Sequence, residues 1–317
     1  MSKKGLSASL SLRIDSIFEK KGWEIIRNED NISLYNNYLE RLSILPNETK
    51  NLFIDLTDRF ENITVTNVKK LFADSYDTID RDIIDKSRKI YFMPLIIPVI
   101  NNKEKSKIGF FKRIFNFFFE ENVEDDFQDR PKYKSCDTII SLVKIEYRDI
   151  YGSEKFVFPE SFKKFKDQFT DNDLLILIDD FIGTGDTASE VIQFYFQYKK
   201  FSKKNLKILT LISQLEGVKR LEKDFGVNVE SALIKEKALT DYYKNEEELE
   251  EKRLLVKKME EKINISSDLS FGYKKSESLV CILNKSPNNT LPVFWHETKS
   301  LVAPFPRRKI YNHARRK

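Results

Sequence analysis

Leu174-Leu175-Ile176-Leu177-Ile178-Asp179-Asp180-Phe181-Ile182-Gly183-Thr184-Gly185-Asp186-Thr187 is the stretch that decides the fold. Five consecutive apolar residues bounded by acids fit a strand covered on both faces, as in a parallel sheet, because a half-exposed strand would alternate with polar residues. The Gly- and Thr-rich turn after Ile182 punctuates that strand, and the pattern from about Thr187 to Tyr198 predicts a helix. Glycine is scarce, nine in all, so two of them within three positions mark a place where the backbone needs freedom or close approach.

Working outward, the apolar run Ile90 to Ile97, broken by Pro94, predicts a strand entering a loop. Leu206 to Ile212 and Val227 to Leu233 predict further strands, with helices over Thr187 to Tyr198 and Glu216 to Phe225 between them. Alternating strand and helix is the pattern of a doubly wound parallel sheet in an α/β fold. From Leu10 to about Phe72 apolar residues recur at three- and four-residue spacing, as in Leu39, Leu42 and Leu45 and again in Leu52, Leu56 and Phe60. This predicts a helical subdomain, with Asn47 as the cap of the second of these helices. Ser135 is expected to cap a helix running through Ile139 to Ile145, Lys244 to Ile263 to form a charged helix, and Leu279 to Leu283 a last strand before an irregular, Pro-rich end. The expected organisation is 1–88 for the helical subdomain, 89–284 for the α/β domain with an insertion at 101–133, and 285–317 for the extension. The insertion holds seven large apolar residues between Phe110 and Phe119, followed by acids, and is expected to be a lid over the core. A membrane-surface helix is disfavoured there, because the acids would repel anionic lipid.

Composition narrows the chemistry. The chain has 317 residues, of which 40% are hydrophobic, enough to build a proper core. Two cysteines, Cys136 and Cys281, cannot make a disulfide framework, and the N-terminus has no charged-then-apolar leader, so a reduced, cytoplasmic protein without a transmembrane segment is expected. Two histidines exclude a histidine-rich metal site and chemistry on paired imidazoles, leaving carboxylates, hydroxyls and backbone. The net charge of +5 is concentrated in a tail, Thr298 to Lys317, with seven basic residues and no acids. Such a tail can touch phosphates, so nucleic acid is a weak candidate partner, although charge runs usually just solvate.

The deciding stretch has a physical use in each part. Ligands of open parallel sheets bind beyond the carboxyl ends of strands, where Asp179 and Asp180 are expected to fall. Gly183, Thr184, Gly185, Asp186 and Thr187 offer backbone N–H groups and two hydroxyls at a helix N-terminus, a cradle for phosphate. Carboxylates beside that cradle can accept hydrogen bonds from a pair of sugar hydroxyls. Together they describe a socket for ribose 5-phosphate. A P-loop ATPase is excluded because GxxxxGK[ST] occurs nowhere in the chain. A haloacid-dehalogenase-like phosphatase needs a second acid two positions after the first, and Phe181 and Ile182 stand there. The remaining alternative is that two acids merely end a strand and cap a helix.

The segment resembles the phosphoribosyl-diphosphate-binding motif of type I phosphoribosyltransferases: apolar residues, two acids, two apolar residues, then a Thr/Gly-rich loop ending in Thr. The resemblance extends from about Lys89 to Leu283, with Ile208 to Val218 similar to that family's next strand and helix. Lys134 and Ser135 look like its diphosphate-binding place, with Cys136 where a glycine is usual. At the C-terminal end Phe271-Gly272-Tyr273, Ser276, Leu279, Pro287 to Pro292, Trp295 and Pro304 to Arg307 resemble the phosphoribosyltransferase-like family of prokaryotic conflict systems, which defend bacteria against phage. The resemblance implies a type I phosphoribosyltransferase-like fold and a transferase, specifically a glycosyltransferase, acting on phosphoribosyl diphosphate or a nucleotide. It further implies Asp179 and Asp180 on ribose, the 183–187 loop on the 5-phosphate, Mg2+ on the diphosphate, and a partner protein from a defence operon. Two departures matter. Asp186 stands where a glycine or basic residue is more usual, and Gly183 where some members carry a catalytic carboxylate, so no residue is named as general base. A non-catalytic sensor of the nucleotide or of phosphoribosyl diphosphate on the same fold is the alternative.

Overall fold

A computed structural model of the protein describes residues 7–26, 33–98, 139–144, 155–159, 161–298 and 301–307. The 101–133 insertion, Lys134, Ser135 and the last ten residues of the basic tail lie outside them, and so do the expectations attached to those segments. The chain forms two compact units. One comprises residues 71–212 and 218–232, the other residues 1–70, 213–217 and 233–317.

The fold is α/β, built on a five-stranded parallel sheet. Its strands are β2 (Ile90–Pro94), β3 (Phe156–Val157), β4 (Leu174–Ile182), β5 (Leu206–Gln214) and β6 (Val229–Lys235), in the spatial order β3-β2-β4-β5-β6. The chain therefore runs from β2 outward to the edge strand β3 and then returns to the other side of β2. That reversal between β2 and β4 is the switch point of a doubly wound sheet, where a crevice opens at the carboxyl ends because the flanking connections leave in opposite directions. The apolar run Leu174 to Ile178 is buried throughout, as a strand covered on both faces requires.

Helices α4 (Val65–Asp77) and α5 (Arg81–Lys86) precede β2, and α6 (Phe162–Gln168), α7 (Asp186–Phe196) and α8 (Leu215–Phe225) connect the strands. The hydroxyl of Ser161 caps α6 by accepting from the Lys164 N–H. Helix α7 buries Val191, Ile192, Phe194 and Tyr195, spaced to form one apolar stripe. These meet Tyr91, Phe165, Leu175, Leu177 and Phe201 in the core of this unit. Residues 139–144 are helical, inside the helix expected after Ser135.

The other unit is packed around aromatic rings. Phe18 of α1 (Ala8–Lys20), Tyr38 of α2 (Leu34–Ile44) and Phe53 of α3 (Lys50–Asp58) share one core with Phe294 and Phe305. Phe53 stacks on Phe294 at 4.9 Å between centroids, and Phe60 on Phe305 at 4.2 Å. The charged helix is α9 (Glu246–Lys262), capped by Asn245, with three glutamates in its first turn where the helix dipole favours them.

Two sequence expectations change here. Asn47 does not cap α3: it opens a short 3-10 turn, Asn47–Thr49, and its side-chain oxygen accepts from Lys50 Nζ. The 10–72 region is also not purely helical, because β1 (Glu61–Ile63) interrupts it and pairs in parallel with β7 (Val280–Ile282) in a separate two-stranded sheet. Glu-Asn-Ile carries no strand signal of its own; the ladder exists because a partner more than two hundred residues away in sequence supplies it.

Candidate functional site

The site grows out of the register of β4. Strand β2 ends at Pro94, paired with Ile178, and the Leu95 N–H donates to the Ile178 carbonyl at 2.8 Å. Strand β4 continues four residues further, so Asp179, Asp180, Phe181 and Ile182 extend past the end of β2 at the switch point. This is why both acids and Phe181 are only half-buried while the five residues before them are fully covered. The strand expected to stop at Ile178 thus takes in both acids. Its neighbour β5, itself nine residues long, has residues to pair at that depth.

Placing the acids within a strand has a consequence for their geometry. Successive strand residues leave on opposite faces, so Asp179 and Asp180 flank the strand end from two sides and are not a couple on one face. Asp179 Oδ1 accepts from the Asp180 N–H at 2.9 Å, which orients the first carboxylate toward the strand's own backbone.

Gly183, Thr184 and Gly185 form the bend that leads into α7. Gly183 and Gly185 are buried, Thr184 and Asp186 half-buried, and Thr187 exposed. Gly185 is the N-cap residue, with φ 81° and ψ 4°, a left-handed conformation that glycine adopts without steric cost. It provides no capping side chain, so the first turn of α7 opens with the N–H groups of a helix start and no hydroxyl or carboxylate of the cap residue over them. One turn in, the hydroxyl of Ser189 is buried without a hydrogen-bond partner among the described residues. A short loop, a left-handed glycine and a helix N-terminus of this kind are the elements of an anion cradle.

The electrostatics of the loop involve a residue that the sequence reading missed. Arg220, on α8, donates through Nη1 to Asp186 Oδ1 at 2.6 Å and to the Thr184 carbonyl at 3.1 Å. Thr184 Oγ1 donates to the other Asp186 oxygen at 3.0 Å. The hydrogen bond to Asp186 holds the Arg220 guanidinium above its ordinary value. The signal that pointed to such a residue was Asp186 itself, an acid in an anion loop that calls for a cation; nothing in the spacing says which cation.

The donor set bears on Mg2+. Asp179 and Asp180 supply hard oxygen ligands, but among the described residues no group of three or more His, Cys, Asp or Glu could hold a metal ion. Carboxylates on opposite sides of a strand end do not form an all-protein cage; either one alone fits a hydrated Mg2+ that draws most of its ligands from substrate phosphates and water. Among the described residues no helix is long and apolar enough to cross a membrane.

The C-terminal motif belongs to the other unit, where its residues lock one another. Ser276 Oγ donates to the Asn289 carbonyl at 2.9 Å and accepts from Asn289 Nδ2 at 3.2 Å. The Tyr273 N–H donates to the Asn288 carbonyl at 2.8 Å, and Trp295 Nε1 to the Thr290 carbonyl at 2.7 Å. The extension is therefore built into a core rather than trailing from it, at least as far as Arg307, whose guanidinium lies 5.8 Å from the centre of the Trp295 ring.

No curated protein matches the chain. The family model PRTase-CE matches residues 45–307, which takes in the switch-point strand, the phosphate-type loop and the C-terminal lock together, and the chain belongs to this phosphoribosyltransferase-like family.

Proposed function

We propose that the chain acts at the anomeric carbon of phosphoribosyl diphosphate or of a nucleotide, as a glycosyl-transferring enzyme of antiphage defence. The observation that supports this reading is the overhang of β4 beyond β2, which leaves Asp179 and Asp180 on either side of a strand end at the switch point, followed by a glycine-turned helix start. In the displacement the bond from the anomeric carbon to the leaving group breaks, its electron pair departs with diphosphate or base, and a new bond forms to the acceptor. Positive charge builds on the ribose carbon, so the task of the protein is to hold the sugar and keep water and misaligned acceptors out. Asp179 and Asp180 accept hydrogen bonds from the ribose hydroxyls. Gly183, Thr184, Gly185, Asp186 and Thr187 hold the 5-phosphate through backbone N–H groups and the Thr187 hydroxyl, the Thr184 hydroxyl being committed to Asp186, and Lys134 and Ser135 are the contacts assigned to the diphosphate. Mg2+, when bound, offsets the charge of the departing diphosphate.

One observation favours a second reading. Gly183 stands where a catalytic carboxylate is found in some phosphoribosyltransferases, which suits a socket that binds a nucleotide or phosphoribosyl diphosphate and signals without turning it over. Incubating the full chain with phosphoribosyl diphosphate, Mg2+ and mixed bases or nucleotides separates the two. Release of diphosphate or free base is expected for the enzyme; tight binding without release assigns the sensor. Absence of binding overturns the socket.

A further inference from the structure

The charge balance of the 183–187 loop carries one more inference, which rests on the ribose-phosphate reading above. Asp186 places a carboxylate in the first turn of α7, inside the loop assigned to a dianionic phosphate. Two like charges a few ångströms apart repel, and a half-buried setting screens them less than bulk water does. In this structure the carboxylate is not left to face an anion. Both of its oxygens are occupied, one by Arg220 and one by the Thr184 hydroxyl. The same guanidinium nitrogen that neutralises Asp186 also holds the Thr184 carbonyl, so a single donor ties the backbone on one side of Gly185 to the side chain on the other. Asp224, one turn further along α8, lies 3.6 Å from Arg220 Nε, a second carboxylate beside the guanidinium.

The geometry points to Arg220 as a positioning residue of the phosphate loop. It cancels the charge of Asp186 and holds the turn around Gly185 in its left-handed form, so that the loop receives phosphate through backbone N–H groups without a basic side chain of its own. A plain ion pair joining a loop to a helix has the same contacts, but the two roles respond differently to loss of the arginine. A structural pair costs a little stability and nothing specific to the ligand. A charge-compensating residue exposes the phosphate to Asp186, and that loss is repaired by removing the carboxylate as well.

The test is a double-mutant cycle on the full chain, titrated calorimetrically with ribose 5-phosphate. Arg220→Gln should weaken binding about tenfold or more, as expected for loss of a charge-assisted contact beside the ligand. Asp186→Asn, which releases the guanidinium toward the phosphate, should tighten binding. Arg220→Gln with Asp186→Asn should recover most of the affinity that Arg220→Gln loses, a coupling that only interacting groups show. Wild-type affinity in Arg220→Gln, or a double variant as weak as Arg220→Gln, overturns the proposal while leaving the socket standing. No binding by the wild-type chain overturns the socket and this proposal with it. Should Arg220→Gln melt below the assay temperature, Arg220→Lys carries the test. It keeps the charge without the fork and should lose about threefold or less; a tenfold loss there overturns the proposal.

Discussion

Gly272 lies directly against the carbonyl of Asn289: a Cβ on Gly272 would fall 2.2 Å from that oxygen, and its φ of +79° already excludes most side chains. The surrounding turn is held in several left-handed residues, Phe271, Lys274, Lys275 and Glu277 among them. Such conformations persist only when neighbouring contacts over-determine them. The Glu277 carboxylate does part of this, accepting from the Leu239 and Thr240 N–H groups. Gly272→Ala should therefore destabilise its unit by about 3 kcal/mol or more. Gly22→Ala is the control: its φ is +65° with nothing within 4 Å of a new Cβ, so only the backbone term of about 1 kcal/mol applies. Chemical denaturation of both variants checks the contrast, and equal losses would show that the Asn289 contact yields easily.

Asp179→Asn with Asp180→Asn should abolish binding of phosphoribosyl diphosphate and leave the fold intact. The acids sit on the overhang of β4, outside the fully buried run, and an amide oxygen still accepts from the Asp180 N–H. Calorimetric titration alongside circular dichroism checks this. A folded double variant that binds as the wild type does would remove the ribose assignment.

Gly185→Val should block binding with a loss of stability of about 1–2 kcal/mol, the cost of forcing a side chain into a left-handed N-cap position. The barrier to binding is the side chain standing where phosphate and backbone N–H groups must meet. Full affinity in Gly185→Val would show that the turn is no anion cradle.

Asp173 anchors the other end of β4. Its buried carboxylate accepts from Arg88 Nε at 2.9 Å, from the Lys89 N–H at 3.1 Å and from the Thr170 N–H at 2.8 Å. Asp173→Ala leaves the part-buried N–H groups of Lys89 and Thr170 without their acceptor and should cost about 2 kcal/mol. Urea unfolding reads this directly; a loss well under 1 kcal/mol would mean that water takes over the donors.

Burial raises the Glu260 carboxyl above its ordinary value, against the pull of hydrogen bonds from Ser270 and the Phe271 N–H. A raised folded-state value means that the neutral acid fits the fold better. Its contribution is fully present below the unfolded-state value, near 4.5, and is lost as pH rises through the folded-state value. Glu260→Gln, permanently neutral, should therefore gain on the wild type as pH rises from 4 to 7. Melting both proteins across that range tests the sign, and a gain that shrinks with rising pH would contradict it.

Local sequence determined much of the α/β unit. A run such as Leu174 to Ile178, five apolar residues bounded by acids, fits a strand covered on both faces, and the helices that follow it show their own periodicity. Gly185 stands out as one of two glycines within three positions, a place needing backbone freedom or close approach, and the fold shows the left-handed conformation. Tertiary structure decided what depends on distant partners. β1 exists because β7 pairs with it, and the N-terminal helices share a core with Phe294 and Phe305, which no local pattern announces. The overhang that exposes Asp179 and Asp180 follows from where β2 stops and β5 does not, a matter of register between strands. Arg220 reaches Asp186 across 34 residues of chain because β5 and α8 return it to the loop. Periodicity fixes what a segment is; only the closed fold fixes which charges meet, since the pairing of side chains far apart in sequence is set by how the elements pack.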